Sequence, residues 1–257
     1  MSSFPTIPSF VVRPFADVFY GLERCLARGL PALALCFLGL AAGWWSYVPV
    51  HELLHALGCR LGGGRVWLLE IAPLYGGAIL ERWLPFVEAG GEYAGRLAGF
   101  DTGDRDAVHL LTTFLPFLLT IFPGVWLLRR GASRRWAVVY GFSLAIALAP
   151  LLSLSGDAYE IGSLCVVQLF PWSQAGLREV LVADDVVLVL RALSRDANAV
   201  AWLGGALSFT VGALWALATY ALGGVVAASL GEPGIEASRP STEPDRTRAV
   251  PNDRNKQ

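Results

Sequence analysis

Five consecutive residues, His51-Glu52-Leu53-Leu54-His55, carry the chemistry this chain can offer. On a helix, positions i and i+4 stack on one face, so imidazoles at 51 and 55 can reach a single metal ion. Glu52 lies about 100° round the same turn, where its carboxylate can take a proton from a water at that metal. The pattern is short and also arises by chance, so its setting decides its meaning. From Gly29 to Gly58 the sequence holds one formally charged side chain, Glu52, and both of its histidines belong to the motif. An ionisable group inside a membrane span costs at least ~2.5 kcal/mol, so one that persists there usually has a function. The plain alternative is a solvated helix end that happens to carry these residues. The whole chain has 3 His, and two of them fall here, which favours the metal.

Composition sets the environment. Of 257 residues, 54% are hydrophobic and 16% charged, whereas soluble domains carry ~25% charged residues. This is the composition of a multi-pass integral membrane protein whose first partner is the lipid bilayer. A formal net charge of −1 gives no case for nucleic acid. Cys25, Cys36, Cys59 and Cys165 are scattered without a CxxC pair, which argues against a disulfide framework and against a thiolate zinc site. Residues 1–29 lack the basic start and short apolar core of a cleavable signal, so the first span is expected to stay in the membrane.

The elements that must position the motif follow from where the apolar runs start and stop. Before them, Phe15, Val18, Phe19, Leu22 and Leu26 recur at helical spacing, which predicts a helix lying in the interface or capping the bundle. The first span runs from Leu30 to about Leu61, with Pro49 able to kink it just before His51. Cys59 continues the stripe of His51 and His55 and reads as a small buried residue rather than a ligand. Gly62-Gly63-Gly64 stops the helix. Residues 65–81 are β-rich and broken by Pro73, Gly76 and Gly77, which predicts two short strands forming a hairpin beside the motif. A polar connector, 88–106, follows.

The second span, 107–128, should bend at Pro116 and Pro123, with His109 near its start read as an interfacial residue. Arg129, Arg130, Arg134 and Arg135 make a short basic loop, which the positive-inside bias places in the cytoplasm, whereas Arg60, Arg65, Arg82, Arg96 and Arg105 before it favour the opposite orientation. The third span, 136–154, ends in Ser153-Leu154-Ser155-Gly156-Asp157. Residues 171–198 suit an amphipathic helix outside the bilayer. The fourth span, 200–230, repeats small residues at Gly204, Ser208, Gly212 and Ala216, a stripe that admits a close helix neighbour. The expected fold is thus an all-α polytopic membrane protein of about four transmembrane helices, with a short β-hairpin-like segment after the first. Residues 1–29 form an amphipathic N-terminal segment, 30–230 a membrane-embedded core, and 231–257 a disordered polar tail.

Within those four spans and the apolar run that continues the third to Phe170, the acidic side chains are Glu52, Asp157 and Glu160. Alternating spans one and three run in the same direction, so their C-terminal ends share a face and bring these residues to one depth. His51, His55 and Asp157 would supply two nitrogens and one oxygen and leave a fourth position open, as a catalytic zinc requires. Asp157 could instead cap the helix after Gly156. Glu160, one turn on, could replace it as ligand or support it from behind.

The run His51-Glu-Leu-Leu-His-Ala-Leu-Gly-Cys-Arg-Leu-Gly-Gly, with Pro73-Leu-Tyr-Gly-Gly-Ala after it, resembles the site-2-protease family of intramembrane zinc metalloproteases. The resemblance covers roughly residues 44–83 well and the Asp157 region loosely. It implies that His51, His55 and Asp157 bind Zn2+ and that Glu52 is the general base. In that family the aspartate usually precedes glycine and follows a lead-in containing Asn and Pro; here Asp157 lies between Gly156 and Ala158, with no Asn before it. Ser153 or Ser155 stands where an oxyanion-stabilising Asn would be sought. The expectation is a divergent, minimal member without a PDZ-type domain. It would be a membrane-embedded zinc metallopeptidase that cleaves membrane-protein or peptide substrates within or near the bilayer. The alternative is a metal-binding membrane protein without peptidase activity, a scaffold or pseudoprotease.

Overall fold

The computed structural model describes residues 9–169, 174–183, 186–196, 199–232 and 234. Most of the polar tail expected over 231–257 lies outside the described residues. Helix α1, Ser9–Leu26, buries Pro14, Asp17, Gly21 and Cys25 against the bundle. Its apolar stripe points the other way, with Phe15 and Phe19 more than half exposed. α1 thus caps the bundle and turns a hydrophobic face outward.

Helix α2, Leu30–Leu61, has 32 residues and passes through Pro49 without ending. At 1.5 Å per residue it is about 48 Å long, beyond the ~30 Å of a bilayer core. The motif starts roughly 30 Å along it. Gly39 and Gly43 of α2 lie against the backbone of Val138 and Phe142 in α6, Ala137–Ala147, and Gly141 of α6 lies against Cys36. No side chain separates the two helices there, so α6 fixes the rotation of α2 and with it the direction of the motif. Gly58 does the same toward α4, Asp106–Phe114: a β-carbon there would stand 2.6 Å from the Leu111 carbonyl oxygen.

The chain then forms a three-stranded sheet in the order β2-β1-β3. β1 is Arg65–Ile71, β2 is Val87–Ala89 and β3 is Gly95–Asp101. β1 pairs parallel to β2 and antiparallel to β3, with Leu69 opposite both Val87 and Leu97. The hairpin expected over 65–81 is thus corrected. Only its first strand forms, and its antiparallel partner comes from the connector. Pro73 lacks an N–H for a second strand, and Gly76 takes φ 84°. The chain therefore turns at Pro73–Tyr75 and runs into a single helical turn, α3, Gly77–Leu80. Trp45 Nε1 donates to the Leu74 carbonyl at 2.6 Å and Trp44 Nε1 to Tyr75 Oη at 3.1 Å, which ties this turn to α2.

Among the described residues, three stretches are long and apolar enough to cross a membrane: Leu30–Leu61, Asp106–Arg134 and Ala199–Ser229. The second tightens to a 3-10 turn at Leu115–Phe117, around Pro116, without leaving helical geometry there. It leaves helical geometry at Phe122 (φ −155°, ψ 129°), before Pro123, and resumes as α5, Val125–Arg134. The expected basic loop is therefore mostly the last turns of α5, and Arg129 is buried. The expected third span, 136–154, is not one continuous helix. α6 has 11 residues, about 16 Å, and is followed by the short α7, Ala149–Leu152, a turn, and α8, Asp157–Leu169. Beyond it, α9 (Gln174–Leu181) and α10 (Val186–Asp196) bury Leu181, Val189 and Leu193 with Tyr159, Val166 and Val167 of α8. Last, α11, Ala199–Ser229, receives α8 on its small-residue stripe: Gly212 lies against Ala158 and Gly162 of α8 against Ser208.

Candidate metal centre

Every fourth residue of α2 from Tyr47 to Cys59 points to one side. Tyr47 Oη is 2.6 Å from His51 Nδ1. His51 Nε2 is 3.0 Å from His55 Nε2, with the rings edge to face at 4.5 Å. Cys59 does not join them; it is fully buried, with Sγ 3.6 Å from the Arg65 carbonyl oxygen and 3.8 Å from that of Asp101.

Asp157 reaches this pair from α8. The backbone N–H groups of Gly156 and Ala158 both donate to the Ser153 carbonyl, closing the turn that delivers Asp157 as the first residue of the helix. A carboxylate is favoured at a helix N-terminus, but here it faces the histidines. Its Oδ2 is 3.1 Å from His51 Nε2 and its Oδ1 3.5 Å from His55 Nε2. One nitrogen from each imidazole and one carboxylate oxygen lie within 4.8 Å of one another.

The chemistry of these donors fits a cation. His55 Nδ1 is 2.8 Å from the Thr112 carbonyl oxygen. A carbonyl only accepts, so Nδ1 carries the proton and Nε2 presents its lone pair. His51 can take the same tautomer by donating from Nδ1 to the Tyr47 hydroxyl, which is able to accept. Two lone pairs and a carboxylate then converge with no internal donor, and each imidazole has the outer hydrogen bond that orients a metal-ligating histidine. His51, His55 and Asp157 can hold a metal ion in the two-nitrogen, one-oxygen set that leaves a fourth position free.

Glu52 stands beside this group, lining a cavity of about 570 Å³ together with His55, Asp157, His109, Glu160 and β3 residues from Gly95 to Phe100. It also lines a smaller cavity of about 190 Å³ with His51, Trp44, Val48 and Leu152. Gly95 backs it so closely that a β-carbon at 95 would overlap the Glu52 side chain. Glu160 is not in the ligand group. It pairs with His109, Oε1 to Nε2 at 2.8 Å, and accepts from Thr113 Oγ1 at 3.1 Å. His109 is thus part of the cavity wall. Ser153 Oγ is buried without a hydrogen-bond partner beside the smaller cavity, and Ser155 lines the larger.

Sequence reasoning overlooked Tyr47, Thr112 and Gly95. Tyr47 sits one turn before His51 on the same stripe, which spacing could have shown. Thr112 and Gly95 enter only through tertiary contact. No protein-family model matches this chain, and no curated protein or solved structure matches it either.

Proposed function

We propose that this chain is a multi-pass, membrane-embedded zinc metallopeptidase that hydrolyses peptide bonds of membrane-protein substrates within or beside their spans, in the manner of the site-2-protease family. The observation that carries the reading is that Asp157, over a hundred residues from the motif, meets both histidines while Glu52 lines the adjoining cavities. When bound by His51, His55 and Asp157, zinc supplies Lewis acidity, which polarises a carbonyl and acidifies water. Glu52 takes the proton of the attacking water and passes it to the leaving amine. Tyr47 and Thr112 hold the imidazoles in the tautomer that frees Nε2.

A transmembrane helix satisfies its own backbone, so it must unwind before one of its carbonyls reaches the site. The stretch Pro73–Gly77, expected to hold the unwound peptide, is a turn. β3 is better placed: it forms an edge of the sheet, and its first residue touches Glu52. An extended peptide can add to such an edge through main-chain hydrogen bonds.

The second reading, a metal-binding membrane protein without peptidase activity, is favoured by one observation: the described residues include no asparagine to stabilise an oxyanion. The test is reconstitution in liposomes with a panel of single-span substrates, with metal analysis of the same preparations. We expect about one zinc per chain in wild type and in Glu52→Gln, and cleavage by wild type alone. Equal cleavage by both proteins would refute the role of Glu52. Zinc-loaded wild type that cleaves nothing across a broad panel would establish the second reading.

A further inference from the structure

The two cavities meet at Glu52 and Gly95 and differ in chemistry. The smaller lies toward the N-terminal half of α2, before the motif. Its walls are Trp44, Tyr47 and Val48 of α2 with Ala149, Leu152 and Ser153 of α7 and the turn after it. These groups are nearly all apolar. The larger extends past His55 to the start of α4, where His109, Glu160 and Thr113 form a hydrogen-bonded wall opposite β3. A chain crossing Glu52 from one cavity to the other therefore passes from apolar surroundings to polar ones.

We infer that the smaller cavity is a specificity pocket for one large apolar side chain next to the scissile bond, and that the larger one receives the polar chain continuing out of the membrane. This rests on the peptidase reading and narrows its substrates. They are membrane proteins cut at the margin of a span, where a leucine- or phenylalanine-like residue is followed or preceded by a polar segment. Size supports a side chain as the occupant. The cavity, about 190 Å³, is on the scale of one side chain rather than of a helical turn about 10 Å across with all its side chains. The substrate is unwound where it meets the site, and its freed amide groups need partners. The larger cavity supplies them from the edge of β3 and from the wall of His109, Glu160 and Thr113.

The test uses reconstituted full-length protein and single-span substrates that differ only at the residue on the apolar side of the cleavage site, mapped by mass spectrometry. That residue is leucine, phenylalanine, alanine or aspartate. Wild type should favour leucine or phenylalanine over alanine by about tenfold in kcat/KM, the discrimination a hydrophobic pocket achieves. Leu152→Trp should narrow the pocket and shift preference toward alanine; Trp44→Ala should widen it and relax the preference. Both should keep their zinc. Leu152 is 62% exposed, so its replacement leaves the core intact.

A second readout needs no turnover: Glu52→Gln protein is irradiated with a substrate carrying a benzophenone at the varied residue. Crosslinks should map to residues 44–48 and 149–153. Crosslinks confined to 96–113 would overturn the proposal. So would cleavage that depends on Glu52 but is indifferent to the varied residue, which leaves the peptidase reading standing. Wild type that is zinc-loaded and cleaves none of the substrates defeats the peptidase reading itself, and the pocket's role falls with it.

Discussion

His55 and His51 are held by unlike groups. The first donates to a backbone carbonyl, which cannot reverse its role; the second leans on a tyrosine hydroxyl, which can. Removing that hydroxyl while keeping the ring, Tyr47→Phe, should weaken metal binding roughly 10- to 100-fold, the usual effect of losing an outer partner. His51→Ala and His55→Ala should abolish stoichiometric binding, and Asp157→Ala should weaken it strongly; competition with a chelator measures all four. Full occupancy in the Asp157 variant would remove it from the ligand set. Gly95→Ala acts differently, because the new methyl meets Glu52 and no ligand. We expect retained zinc with turnover lowered by at least about tenfold, since small misplacement of a catalytic group is costly. Unchanged turnover would show that Glu52 relaxes freely. The ligand stripe was legible because helical spacing is local. For Glu160, spacing left two roles open, ligand or support from behind, because it places the residue one turn past Asp157 but says nothing of the helix it faces, which carries His109.

Asp157 is only as well placed as α8, and α8 is seated on α11 by two glycines. Gly212 accepts the backbone at Ala158, and Gly162 accepts that at Ser208. Apolar packing of Ala158 and Ile161 with Ala216 and Phe117 continues the same seam. Gly212→Val should push α8 away and lower zinc affinity although no ligand is altered. Leu214→Val, an exposed change on the same helix, serves as the control. Zinc titration of the pair checks this, and equal affinities would show that the turn at Ser153–Gly156 positions Asp157 by itself. The stripe from Gly204 to Ala216 was visible in the sequence because small residues recur every fourth position. Its partner was not, since nothing local says which helix will approach. The end of the third span at the Ser153–Gly156 turn was legible, because serine and glycine interrupt the apolar run there. Its division at Leu148 into α6 and α7 was not, because apolar composition continues unbroken through Pro150. The hairpin failed because Pro73 and Gly76 end β1 in a turn, and its antiparallel partner, β3, lies some thirty residues downstream.

Over the whole molecule, the candidate metal centre and the anchorage of α1 are separate structures. Arg129 of α5 donates from Nε to Asp17 Oδ2 of α1 at 2.9 Å and from Nη1 to the Gly224 carbonyl of α11 at 3.0 Å. Tyr220 of α11 donates to the same carboxylate oxygen at 2.9 Å. Asp17 and Arg129 are 3% and 5% exposed, so the pair exchanges little with solvent and has three helices as its frame. It adjoins a core that includes Ala32 and Cys36 of α2, and Cys36 is roughly 20 Å along the helix from His51. Removing one partner strands the other as an uncompensated buried charge, which costs about 3–5 kcal/mol. Replacing both with apolar residues removes that penalty. Arg129→Met alone should therefore lower the thermal midpoint of the detergent-solubilised protein markedly. Asp17→Leu combined with Arg129→Met should recover much of the loss. Zinc affinity should stay near wild type in both, because neither change reaches α4, α8 or the motif. A single variant that kept its thermal midpoint would show that water reaches Asp17. A single variant that lost zinc while still folded would show that α1 and the metal centre are coupled through α2.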